Sequence, residues 1–280
     1  MLKRSYLTAF LLILSSYLYA QNWVTDFELA KKMALAENKL MLLDFTASWC
    51  GPCKYMEINT WSKENVKKEM AFYESVKIDL DSNKDLARFY GVSAIPNILI
   101  VDPNGIVLEQ IRGYRDANFM QKFLHEKVLD LAFVQKELIS FFKKRSYSSA
   151  LRLANKYQIY AMLLKKDKVR VSLLLSVANN YFKIAKKIVK KSKSKNKEGL
   201  LQKIDLYELR KSLILNKNKQ VAKKLSKLKE SEIDNMNKSL YASLNYVVLT
   251  NVKDLENAKK WFDNMNDSDK AFAKRMLNKD

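Results

Sequence analysis

Trp49-Cys50-Gly51-Pro52-Cys53 decides the reading of this chain, because it holds both cysteines of the 280-residue sequence in C-x-x-C spacing. Two thiols that close can form a small disulfide and so carry two electrons. The lead-in, Leu40-Met41-Leu42-Leu43-Asp44-Phe45, is an apolar run that reads as a buried strand, and the residues from Lys54 onward have helical character. Strand, tight turn and helix in that order place Cys50 at a helix N-terminus. There the unpaired N–H groups and the dipole favour a thiolate over a thiol. A zinc site normally needs four ligands; the chain has no other cysteine, and its one histidine, His125, is far along the sequence. No metal or cofactor is expected. A chance spacing and a purely structural bridge are the plainer alternatives. A structural bridge usually closes a longer loop, because a short loop constrains the unfolded chain less.

Working outward, the match becomes specific. The run from Asp44 to Lys54, Asp-Phe-Thr-Ala-Ser-Trp-Cys-Gly-Pro-Cys-Lys, resembles the active-site segment of the thioredoxin family. Val92-Ser93-Ala94-Ile95-Pro96 resembles that family's second signature, an Ile-Pro whose bond is cis, and Lys77-Ile78-Asp79-Leu80-Asp81 resembles the strand between the two. Leu99 to Gly105 reads as a strand and turn, and Val107 to Ile111 as the next strand. The resemblance covers residues 25–127 and implies an α/β thioredoxin-like domain. It further implies that Cys50, the more exposed thiol, attacks a substrate disulfide and that Cys53 resolves the mixed disulfide. Asp44 would be a buried carboxylate behind Cys53 that helps move its proton, with Lys77 as its neighbour. Trp49, Gly51, Pro52, Ile95 and Pro96 would contact substrate, Ile95 through its backbone. Plainer roles exist for Asp44 as a strand-end cap, Lys77 as a solvated strand lysine and Pro96 as an edge-strand proline.

Two positions depart from the family. Thr46 stands where an aromatic residue is frequent, and Asn97 follows the proline where threonine is frequent; both are expected to touch substrate recognition. Gly51-Pro52 brings no side chain that stabilises the Cys50 thiolate. Since thiolate stabilisation makes a pair more oxidising, the expectation is an electron donor.

Residues 1–20 read as a secretory signal: a basic start at Lys3-Arg4, an apolar core from Tyr6 to Leu14, and a small residue, Ala20, before a cleavage point ahead of Gln21. Leu18 departs from the usual small-x-small rule. The apolar run is short for a span, which needs about 20 residues, so an uncleaved anchor is the alternative. Export to a disulfide-tolerant compartment is expected, a bacterial periplasm fitting best.

The second half differs in kind. All three prolines and four of five glycines lie before residue 114, while Leu, Lys and Ala rise beyond it, which indicates continuous helix. Residues 1–130 carry 16 Lys+Arg and 16 Asp+Glu; residues 131–280 carry 35 and 14, the whole excess of +21. The expected division is a signal at 1–20, a thioredoxin-like domain at 21–130 and a basic all-α domain at 131–280. Alanines 150, 185, 222 and 258 recur in similar settings, each after a polar break at Ser146, Asn179-Asn180, Asn216 to Asn218 and Asn251. One helical hairpin per period resembles tetratricopeptide-type repeats and implies a solenoid-like array; an irregular helical bundle is the alternative. Trp261-Phe262 and Met265 are expected in its core.

Helical arrays commonly present a surface to a protein segment. The charge points to an acidic protein partner or an anionic membrane surface, with a solvated solubility face as the plain reading. Lysine-dominated charge without aromatic interleaving, in an exported chain, speaks against nucleic acid. The expected function is exchange of electrons with protein thiols and disulfides, as reductase or isomerase, recharged by a membrane electron donor. The alternative is a scaffold or peptide-binding protein with little redox turnover.

Overall fold

The computed structural model describes residues 23–277, so the expected signal segment lies outside the described residues. The chain divides into two compact units, one ending at Val128 and one beginning at Leu129.

The first unit is a four-stranded sheet with flanking helices. Helix α1 (Phe27–Glu37) starts where the Asp26 carboxylate accepts from the N–H groups of Glu28 and Leu29, and stops at Asn38, whose left-handed φ of 58° ends the turn. Strand β1 (Leu40–Thr46) is followed by α2 (Gly51–Met56), which runs through a π-helical turn at Glu57–Trp61 to α3 (Glu64–Met70). Then come β2 (Tyr73–Asp79), α4 (Lys84–Phe89), β3 (Asn97–Val101), β4 (Val107–Arg112) and α5 (Ala117–Lys127). The strand order is β2-β1-β3-β4, with β1 parallel to β2 and antiparallel to β3, and β3 antiparallel to β4. β1 is central and both its faces are covered, which is why it is apolar without alternation. Leu80-Asp81, expected inside β2, lie beyond it: the Asp79 carboxylate accepts from the N–H groups of Asp81 and Ser82, and this turn ends the strand.

The second unit is all helix. A 3₁₀ turn at Ala132–Val134 leads into α6 (Gln135–Lys143), α7 (Tyr147–Leu163), α8 (Lys168–Lys191), α9 (Lys197–Ile214), α10 (Asn218–Leu225), α11 (Lys238–Asn251), α12 (Leu255–Phe262) and α13 (Asp267–Leu277). Ser146 and Ser149 form a reciprocal cap on α7. Left-handed residues Asn216 and Lys253 follow α9 and α11. Asn179-Asn180, expected as a break, lie inside α8: the low helix propensity of asparagine is outweighed by burial of Val177, Ala178, Tyr181 and Phe182 around it. Ala150 sits early in α7, Ala222 and Ala258 sit in the middle of the short helices α10 and α12, and Ala185 sits late in α8. Phe262, expected in the core, is 41% exposed, while Met265 is buried and Trp261 packs against the core.

A guanidinium lies deep in this unit. Arg210 on α9 is 3% exposed, and its Nε–H donates to Gln158 Oε1 on α7 (2.9 Å) while its guanidinium also donates to Asn155. The guanidinium lies over two rings, Tyr207 at 4.8 Å and Phe272 of α13 at 4.7 Å. α13 also packs against α7.

Candidate functional site

β1 delivers the chain through Ala47 to Cys50, which takes extended backbone angles and caps α2. The Cys53 N–H donates to Cys50 Sγ at 3.2 Å, so the sulfur occupies the place of a capping oxygen. Pro52 falls in the first turn, where the missing N–H removes no helical bond. A Cβ built on Gly51 would meet nothing within 4 Å, so this residue leaves the approach open. Cys50 and Cys53 form a disulfide. Cys50 was expected to be the more exposed thiol; in this oxidised form both are buried, 4% and 6% exposed, because Ala47, Leu80 and Ile95 pack against the pair. Trp49 stands out at 63% exposure, held by its indole N–H donating to Asp81 (2.9 Å).

The Ile95–Pro96 bond is cis, and the buried Pro96 accepts through its carbonyl from the Gly113 N–H (2.8 Å). Of the expected contact residues, Ile95 packs on the two cysteines, and Trp49, Gly51 and Pro52 are their neighbours in the chain. Asn97 does not join them. It is fully buried, donating to the Ala94 carbonyl (3.3 Å) and accepting from Gln110 (3.0 Å), so it braces the proline loop from inside. Thr46 is half-buried at the end of β1, its carbonyl held by the Leu80 N–H.

Asp44 lies in register with Lys77 on β2 and Ile98 on β3 and is 3% exposed. Burial pushes its carboxyl up to about 7; Lys77 pulls it down, Glu57 pushes it up, and a hydrogen bond from Trp61 pulls it down. Its Oδ1 has no hydrogen-bond partner among the described residues. Lys77 pairs with Glu57 and lies 4.7 Å from the centre of the Trp23 ring, and Trp23 meets Trp61 edge to face at 5.4 Å. Sequence reasoning placed Asp44 and Lys77 together but missed Glu57, Trp61 and Trp23. Glu57 carried a signal: Cys50, Cys53 and Glu57 follow i, i+3, i+7 spacing, one face of a helix.

A short redox disulfide at a helix N-terminus, a cis Ile95–Pro96 bond whose Ile95 packs on it, and a buried carboxyl pushed up to about 7 are the parts of a thiol-exchange site. The thioredoxin family model matches residues 23–126. The thioredoxin H-type of Fagopyrum esculentum is 38% identical over 104 residues, spanning 36% of this chain and 81% of that protein. The chain belongs to the thioredoxin family. Its thioredoxin unit is a thiol-disulfide oxidoreductase, with Cys50 and Cys53 as the redox pair. The thiol:disulfide interchange protein DsbD of Campylobacter jejuni (strain RM1221) is 30% identical over 112 residues, 39% of this chain but 20% of that protein. Among solved structures, the oxidised C-terminal domain of Neisseria meningitidis DsbD is 25% identical, covering 38% of this chain and 98% of that one, with a TM-score of 0.34.

Proposed function

We propose that this protein is an exported thiol-disulfide oxidoreductase that passes electrons to the disulfides of other proteins, as a reductase or isomerase. The observation that carries the reading is the Cys50 sulfur seated as a helix cap, with the unpartnered Oδ1 of a buried, near-neutral Asp44 in the same unit. In the reduced state the Cys50 thiolate attacks one sulfur of a client disulfide. The client S–S bond breaks, a Cys50–client bond forms and one client sulfur leaves as a thiolate. Cys53 gives its proton to Asp44 and attacks Cys50 Sγ; the mixed disulfide breaks, the second client thiolate leaves, and the Cys50–Cys53 disulfide closes. Two electrons pass to the client. The oxidised pair then needs a dithiol donor, and a membrane protein fits an exported chain. Support for that comes from the likeness to a protein titled a thiol:disulfide interchange protein.

The signal-like character of residues 1–20 favours a periplasmic location, with an uncleaved anchor as the variant form. No helix among the described residues is long and apolar enough to cross a membrane. The helical unit holds or selects partners.

The deciding experiment is the reduction potential of Cys50–Cys53 in the protein lacking residues 1–20, by equilibration with dithiothreitol and glutathione. A strongly reducing value supports the electron donor; an oxidising value recasts the protein as one that introduces disulfides. A Cys53→Ser variant should accumulate covalent partners through Cys50. No exchange and no trapped partner would leave the scaffold reading in its place.

A further inference from the structure

The helical unit carries a charged face that thiol chemistry leaves unused. Between Tyr181 and Lys197 the chain has eight lysines and no Asp or Glu. Lys183, Lys187 and Lys190, at i, i+4, i+7, make an exposed stripe on the last turns of α8, opposite the buried Tyr181, Phe182, Ala185 and Val189. Lys193 and Lys195, in the turn that follows, are exposed as well. The turn is a built one: Ser192 Oγ donates to the Val189 carbonyl (2.8 Å) and Lys197 Nζ to the Lys190 carbonyl (2.7 Å). Lys186 is used within the unit, paired with Asp205 on α9 at 2.9 Å. Lys190 and Lys191 sit where the helix dipole favours cations. Lys183 and Lys187 do not, and like charges four residues apart weaken a helix. Among the described residues, Lys183, Lys187, Lys193 and Lys195 form no ion pair. The thioredoxin half, with equal numbers of acids and bases, shows that this density is not a habit of the whole chain.

We propose that this face rests on an anionic lipid bilayer surface. Lysine is depleted in protein–protein interfaces, which are anchored by Trp, Tyr and Arg, and Tyr181 and Phe182 point inward here. A row of strongly hydrated point charges on flexible stems suits a diffuse sheet of phosphates better than one shaped partner. A single tightly held phosphate at the start of α9 is disfavoured. The Asp234 carboxylate already leans over Gly199, 2.5 Å from where a Cβ would stand, and would repel it. The proposal deepens the partner-binding reading of the helical unit and does not depend on the dithiol.

The test is co-sedimentation of the protein lacking residues 1–20 with vesicles of phosphatidylglycerol mixed into phosphatidylcholine, against phosphatidylcholine alone. Binding is expected to the anionic vesicles only, with release as salt shortens the screening length. Each lysine contributes about fivefold to partitioning. The triple variant Lys183→Glu, Lys187→Glu, Lys193→Glu should therefore lose on the order of a hundredfold or more. A control with the same net charge, Lys136→Glu, Lys227→Glu, Lys259→Glu, at exposed positions elsewhere in the unit, should keep binding within about threefold. Circular dichroism checks folding, and the glutamine triple at positions 183, 187 and 193 is read instead if the glutamate triple unfolds. Equal loss in stripe and control variants, no vesicle binding by the unsubstituted protein, or tighter capture of soluble polyglutamate than of vesicles would each overturn the proposal. Exchange of Cys50–Cys53 with dithiothreitol, followed in parallel, reports separately on the redox reading.

Discussion

At Asp44 a carboxyl is held in the centre of a sheet with one oxygen unpartnered, and the cost of that placement has a direction. A folded value of about 7, above the ordinary 3.8, means the folded state holds its proton more tightly than the unfolded chain does. The associated stability is fully present below about pH 4 and is lost as pH rises through about 7, a change on the order of 4 kcal/mol. Denaturant unfolding of the oxidised protein should thus show a midpoint that falls from about pH 4 to about pH 7 and levels off above. Asp44→Asn should flatten that slope, raise stability at pH 8, and slow the release of client from Cys50, measured by single-turnover reduction of a peptide disulfide. Glu57 adjusts the same group. Glu57→Gln removes a charge that pushes Asp44 up and releases Lys77 to face it alone, so the Asp44 carboxyl should titrate lower. Carboxyl carbon NMR read against pH would show it, and an unchanged or higher midpoint would exclude this role.

At the level of strands and helices, the local pieces were readable and the crossings were not. The C-x-x-C helix start and the continuous apolar β1 are fixed by neighbours in sequence, and both stand as read. The Trp23–Lys77–Glu57–Trp61 group joins an N-terminal segment, β2 and a π-turn. No spacing in the chain announces such a meeting, though the Cys50–Cys53–Glu57 face could have nominated one member. Asn97, by its place after Pro96, points to substrate recognition. Its inward turn depends on Gln110 of the neighbouring strand, which only pairing reveals. Asn97→Ala should leave the Gln110 amide and the Ala94 carbonyl short of a partner, destabilising the unit by about 1–3 kcal/mol with the dithiol potential little changed. The turn between β3 and β4 gives a second check. Gly105 has φ of 80°, and a Cβ there would come within 2.9 Å of the Tyr90 hydroxyl. Gly105→Ala should lower the unfolding midpoint by an amount corresponding to roughly 1–3 kcal/mol.

For the whole molecule, each unit has a core of its own, and the redox pair lies in the first. A fragment of residues 21–128 should therefore fold and reduce small disulfides within about twofold of the full rate, any loss being confined to the helical unit's partners. The division into a neutral α/β half and a basic helical half was legible because turn-formers, prolines and charge all change at one place. The breaks inside the helical half were less so, since a polar pair such as Asn179-Asn180 can be carried through by the packing on either side. Arg210 sets how that half comes apart. In an open stack each hairpin leans only on the next, so the ends can fray one by one. A guanidinium that bonds to α7, belongs to α9 and carries a ring of α13 laces the last helix back to an early one. The ends then have no private equilibrium of their own: the helical half is expected to melt all or none, its terminal helix exchanging amide protons as slowly as its interior.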